Sequence, residues 1–134
     1  MADDIAYYRT NGVTDILSLL RPDEIKELEL SREALECANA GLSFQNLPIK
    51  DRGLPKISDL KNLVKTSASE IIAGACIAVH CRAGIGRAGL LTCCILQELG
   101  IDAEQSLNLV SEAHGVRVPD TNEQKDFILN YLSF

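Results

Sequence analysis

Three features of this sequence predict an α/β fold, a mostly parallel central sheet covered by helices on both faces. Short apolar runs at 13–20, 44–49 and 75–79 alternate with segments of helical period. The third run, Ala75-Cys76-Ile77-Ala78-Val79, is apolar throughout, the pattern of a strand buried on both sides in a parallel sheet. The segments between the runs are long enough to be helical crossovers, which parallel strands require. A chain of 134 residues can bury a core of its own, so residues 1–134 are read as one compact domain.

Asp3 to Thr10 is predicted as a short helix stopped at Asn11-Gly12. Val13 to Leu20 follows as the first strand. Pro22 opens a charged helix, and Ser31 is placed to cap a second piece through Ala40, with Gly41 just past its end. Phe44 to Ile49 is the second strand, and Asp51-Arg52-Gly53-Leu54-Pro55 is a loop by composition. Leu60, Leu63, Val64, Ser67 and Ile71 recur at helical spacing over Ser58 to Ala73, ended by Gly74. The third strand runs into a glycine-containing loop, and Ala88 to Leu99 is a helix closed by Gly100. Asp102 with Gln105, and Thr121 with Gln124, have the capping-box pattern that opens the last two helices.

Composition narrows the function classes. The chain carries 13 basic and 19 acidic residues, a net charge of −6, with no basic stripe and no base-stacking aromatic set, so no nucleic-acid partner is expected. No apolar run approaches a membrane span and no leader precedes the first helix, so no membrane partner and a cytoplasmic location are expected. Five cysteines and two histidines show no zinc-like spacing, and no metal is expected. Cys76, Cys93 and Cys94 read as core residues; a disulfide from one of them to oxidised Cys81 is the alternative.

The chemistry concentrates in His80-Cys81-Arg82-Ala83-Gly84-Ile85-Gly86-Arg87-Ala88-Gly89. Parallel sheets place sites beyond the carboxyl ends of their strands, where both this loop and the Asp51 loop emerge. A loop at a helix N-terminus turns several amides into one small space, which suits an anion. Arg82, Ala83, Gly84, Ile85, Gly86 and Arg87 are therefore read as a cradle for a phosphate- or sulfate-like anion. A thiol at Cys81 in such a cradle has its charged form favoured. Arg87 can present two donors to two oxygens of a tetrahedral oxyanion, a geometry lysine cannot copy. A thiolate there suits covalent phosphoryl transfer, with Cys81 attacking in line. Asp51 is the candidate to protonate the leaving oxygen and then to activate water. Arg52 reads equally as a substrate contact and as a surface arginine.

Residues 80–89 resemble the signature of the cysteine-dependent protein tyrosine and dual-specificity phosphatases, in which histidine precedes the nucleophile and arginine follows it by six positions. Pro48 to Pro55 resembles the general-acid loop of compact members, and Val118 to Gln124 resembles the segment before their last helix. The likeness covers most of residues 13–132 and is nearest to small bacterial members. It implies a three-layer α/β/α fold of the protein tyrosine phosphatase kind. It also implies Cys81 as nucleophile, Arg87 as phosphate clamp and Asp51 as general acid, with His80 bracing the loop by hydrogen bonding. Gln124 is implied as a water-positioning residue, beside the capping role that already explains it. The implied activity is phosphomonoester hydrolysis with no metal or organic cofactor. The implied substrate is a phosphotyrosine protein, with phosphoserine, phosphothreonine or a small phosphoester as alternatives. A phosphate- or phosphoprotein-binding module with little turnover is the other reading.

Three departures from the family pattern bear on this. Ala88 stands where serine or threonine usually follows the arginine, which predicts slow hydrolysis of the phosphocysteine. His114-Gly115 stands where arginine-glycine is common in similar bacterial sequences. The first helix comes almost at the start, so the fold is expected to be shortened at the N-terminus. An unpaired sheet edge would then be open to a homo-oligomeric contact.

Overall fold

β1 (Asp15–Ser18) lies at the centre of a parallel sheet, between β2 (Ser43–Asn46) and β3 (Ile77–His80). The structure, a computed structural model, describes residues 2–82 and 85–134. Leu17 of β1 is in register with Gln45 on one side and Val79 on the other. Successive strand side chains point to opposite faces, and β1 uses both. Ile16 enters a small core with Ile5, Cys37 and Leu42, while Leu17 enters the main core with Leu60, Val64, Leu91 and Ile128.

Two helical layers follow from that alternation. α1 (Ala2–Thr10) and α3 (Glu33–Asn39) supply the small core, and the short α2 (Pro22–Glu27) precedes α3. α4 (Ile57–Ile72), α5 (Arg87–Glu98), α6 (Ala103–His114) and α7 (Asn122–Asn130) build the main core. From β1 the chain steps to β2 through α3, then returns past β1 to β3 through α4. These steps run in opposite directions across the sheet, so right-handed crossovers require their helices on opposite faces. The predicted three-layer α/β/α arrangement is what forms, with a three-stranded sheet.

Several boundaries differ from expectation. The strands are shorter than the apolar runs, because ladder pairing ends where Leu19 and Leu20 turn into the core at 0% exposure. β3 begins at Ile77 and includes His80, which the sequence placed in the loop. Cys76 therefore lies at the rim of the sheet as an exposed thiol rather than a core residue, its carbonyl accepting from Thr14 N–H at 2.9 Å. Ser31 does not cap α3. The helix follows Arg32, and its entry is set by backbone bonds from Leu30 N–H to Ile25 O and from Glu33 N–H to Leu30 O. Gly41 ends α3 as predicted, with φ +78°, a conformation that a side chain would strain.

α5 is the packing centre of the main layer, contacting α4, α6 and α7, and its Leu91 is 0% exposed. Leu91→Ala is expected to lower unfolding stability by about 2–5 kcal/mol in urea titrations, through lost burial and the cavity left behind. A cost below about 1 kcal/mol would contradict this packing.

Candidate active site

The site is organised around the first residue of α5. Arg87 follows the N-cap Gly86, and its side chain is only 2% exposed. Glu24, on α2 just beyond the carboxyl end of β1, meets the guanidinium as a fork: Nη1 donates to Oε1 at 2.6 Å and Nη2 to Oε2 at 2.9 Å. Nη1 also donates to the Ile49 carbonyl at 2.9 Å and lies 3.5 Å from that of Leu19. Nη2 is 3.5 Å from Asp51 Oδ1. The side of the guanidinium turned away from Glu24 thus faces the Asp51 loop.

The electrostatics match this geometry. The hydrogen bond from Arg87 holds the Glu24 carboxyl below the usual carboxylate range, against the opposing effect of burial, and the Arg21 N–H adds to it. Burial works against the Arg87 charge, but the Glu24 bond and charge, with Cys81 and Asp51 behind them, keep it raised above its ordinary value. Pairing of this kind is what makes a buried guanidinium tenable.

Asp51, Arg52, Cys81, Arg82, Gly86, Arg87 and Asp120 line one cleft of about 150 Å³. The two loops that leave the same edge of the sheet therefore meet. Cys81 is recessed at 9% exposure, whereas the Asp51 side chain is 60% exposed at the mouth. A turn closed by Gly53 N–H to Lys50 O at 2.8 Å presents Asp51, with Arg52 at φ +60°. The Arg82 side chain leaves the cleft floor and forks onto Glu27 at 3.0 and 3.2 Å. Ile85 is half-buried and lines a neighbouring hollow with Arg117 and Lys125. Ala88 is buried in the main core, as is Cys81. The expected cradle residues Ala83 and Gly84 lie outside the described residues.

Further residues brace both loops. His80 Nε2 is 2.7 Å from Glu33 Oε2, and the ring is hydrogen-bonded to the Cys81 backbone. Gln124, 0% exposed, caps α7 with its backbone N–H donating to Thr121 Oγ1 at 3.0 Å, while its Oε1 accepts from Thr121 N–H at 3.3 Å. Its Nε2 donates to the Gly53 carbonyl at 3.3 Å, so the cap of α7 also holds the Asp51 turn. A Cβ on Gly86 would stand 2.5 Å from Asp120 Oδ2 and 3.1 Å from Gln124 Oε1. A side chain there would have to displace the Asp120 carboxylate, so close approach and not backbone angle favours glycine.

Glu24 and Glu33 were not singled out by the sequence. Glu24 had one usable signal, an acidic residue in the first turn of a helix that starts at Pro22 directly after a strand. Cys93 and Cys94 are buried in α5, as their periodicity predicts. Burial pushes the Cys93 thiol up to about 12 and the Cys94 thiol up as well.

A sequence family described as "Polymorphic toxin system, DSP-PTPase phosphatase" matches residues 1–101. The protein tyrosine phosphatase domain-containing protein 1 of Danio rerio is 40% identical over 100 residues, covering 69% of this chain and 14% of that protein. Its counterpart in Bos taurus is 33% identical over 100 residues, covering 69% of this chain and 12% of that protein. The chain thus spans about one-eighth of the length of these curated relatives. Among solved structures, a kinase associated phosphatase with its catalytic-site cysteine replaced by serine aligns with a TM-score of 0.88 at 19% identity. That alignment covers 98% of this chain and 75% of the other, a likeness of fold.

Removing one partner of the buried pair strands the other. Glu24→Ala is expected to cost about 3–5 kcal/mol of stability at neutral pH. Because the Glu24 carboxyl is lowered from 4.5 in the folded chain, its contribution is present above 4.5 and lost as pH falls through the folded value. The gap between wild type and variant in chemical denaturation should therefore shrink on acidification. A gap that stays constant into strong acid would contradict the pairing.

Proposed function

Since the chain belongs to the cysteine-dependent protein tyrosine and dual-specificity phosphatase superfamily, we propose that it hydrolyses phosphomonoesters through a phosphocysteine on Cys81. The observation that carries this reading is the single cleft lined by Cys81, Arg87 and Asp51, with Arg87 already charged and anchored from behind.

In the first step the Cys81 thiolate attacks phosphorus in line with the ester oxygen. The S–P bond forms as the P–O bond breaks, and Asp51 gives its proton to the departing oxygen. Arg87 and the amides of residues 82–87 hold the equatorial oxygens, where charge spreads in the transition state. In the second step Asp51, now a carboxylate, takes a proton from water as that water attacks phosphorus. The S–P bond breaks and the thiolate returns. Ala88 has no hydroxyl to offer the sulfur as it leaves, so this step is the slower one. Gln124 fits this reading by holding the Asp51 turn through Gly53.

The proposed substrate is a phosphotyrosine-containing protein, supported by relatives named for that activity, with phosphoserine, phosphothreonine and small phosphoesters as alternatives. The chemistry calls on no metal or organic cofactor. Residues 1–134 as one catalytic unit, and a reducing, cytoplasmic setting that keeps Cys81 a thiol, belong to the same reading. So does pairing of two copies through the outer edge of β3, which has no strand partner among the described residues. Ala88 favours a second reading, a phosphoprotein-binding module that accepts phosphate slowly or not at all.

Steady-state hydrolysis of an aryl phosphate separates the two. Wild type should turn over, Cys81→Ser should not, and Asp51→Asn should lose about 10²–10⁴-fold, the usual worth of a positioned acid. Wild-type turnover no greater than that of Cys81→Ser would favour the binding module. Ala88→Ser should raise the steady rate by speeding the second step. An unchanged steady rate would remove the leaving-group account of Ala88.

A further inference from the structure

Glu33 has no place in the reaction described above, yet it is buried beside it. Its residue is 8% exposed, and its carboxylate oxygen lies 2.7 Å from His80 Nε2. His80 is the last residue of β3, and its ring also hydrogen-bonds the backbone of Cys81. One imidazole thus bridges a carboxylate on α3 and the residue that begins the anion loop. Other charges around it are committed elsewhere. Glu24 and Glu27 of α2 are forked by Arg87 and Arg82, and Glu36 of α3 faces Arg32 at 3.6 Å. Across the sheet the register partner of His80 is Ser18, which is uncharged. Among the described residues this leaves Glu33 as the carboxylate acting on the ring.

We propose that Glu33 is a positioning residue acting through His80: its carboxylate keeps a second proton on the imidazole, so the anion loop starts from a charged, doubly anchored ring. Release of that proton then weakens the hold of the loop on an anion. The inference rests on the phosphatase reading and adds to it a regulator of the same site, the protonation of His80.

The electrostatics agree with the geometry. The hydrogen bond to Glu33 raises the His80 pKa above 6.5, burial opposes it, and the Glu33 charge and the Cys81 backbone bond add to the rise. The sign follows. Stability from this contact is complete below about 6.5 and is lost as pH rises through the elevated folded value. On this proposal anion binding in the loop that the ring anchors shows the same dependence, since coupling between two binding events is reciprocal.

The test uses the full chain, sulfate as a probe that does not titrate near neutral pH, and ring resonances of both histidines. In wild type, His80 should keep its proton above pH 6.5, and sulfate should move its midpoint higher still. Sulfate affinity should fall as pH rises through that midpoint. Glu33→Gln should lower the His80 midpoint and weaken sulfate binding at neutral pH by about two- to fivefold, the size of one partly screened charge contact. The resonances of His114, the other histidine, serve as the internal reference for assignment.

A purely structural Glu33 would lower stability but leave the pH profile of sulfate binding and of aryl phosphate turnover unmoved; that result overturns the proposal. If Glu33→Gln fails to fold, the sulfate-linked shift of His80 in wild type decides, and its absence overturns the proposal equally. Absence of both sulfate binding and turnover in wild type would instead remove the phosphatase reading, and this inference with it.

Discussion

Everything around the cleft depends on keeping Arg87 charged while burying it. A guanidinium at 2% exposure has lost nearly all its water, and desolvation of such a group costs several kcal/mol before any contact is made. Glu24 offsets that cost with two charge-assisted bonds, and the carbonyls of Ile49 and Leu19 take up what remains of Nη1. These partners come from three points in the chain: the end of β1, the start of α2, and the entry to the Asp51 loop. One side chain therefore fixes the relative placement of the segments that build the site. Glu24 binds from behind, and on the cleft side Nη2 lies 3.5 Å from Asp51 Oδ1.

A second set of contacts ties the loops to each other. Gln124 closes the cap of α7 on Thr121 and in the same geometry reaches the Gly53 carbonyl of the Asp51 turn. Asp120 and Gln124 crowd the Cβ side of Gly86, the residue before Arg87. On the other side, Glu33 anchors His80, and His80 anchors Cys81. Cys81, Arg87 and Asp51 thus rest on elements that are rigid for independent reasons: a strand end, a helix start and a capped turn.

Much of this arrangement is legible in the sequence. Strands alternating with helices predicted a sheet covered on both faces, and cores form on both faces. The cysteine–arginine spacing pointed to the loop, and the strand-end rule brought the Asp51 loop to the same edge of the sheet. What the sequence did not disclose were the carboxylates behind the loop. Glu24 and Glu33 sit on short, charged helices whose acidic residues look alike by composition, and only the fold decides which two turn inward. Strand ends also differ from the apolar runs. Leu19 and Leu20 extend the apolar run of β1 without extending its ladder, and Cys76 belongs to the apolar run of β3 while its thiol stays at the exposed rim. Apolar periodicity reports burial, and burial and strand pairing part company at the edges of a three-stranded sheet.

The central claim is that this cleft transfers a phosphoryl group to Cys81 rather than only holding one. Quenching the wild-type chain with acid during turnover of an aryl phosphate, then mapping its peptides by mass, tests it most directly. The account predicts the added mass of one phosphoryl group on the peptide containing Cys81, accumulating because Ala88 leaves the second step slow. A chain that binds sulfate or phosphate in the cleft yet never carries that mass on Cys81 would contradict it.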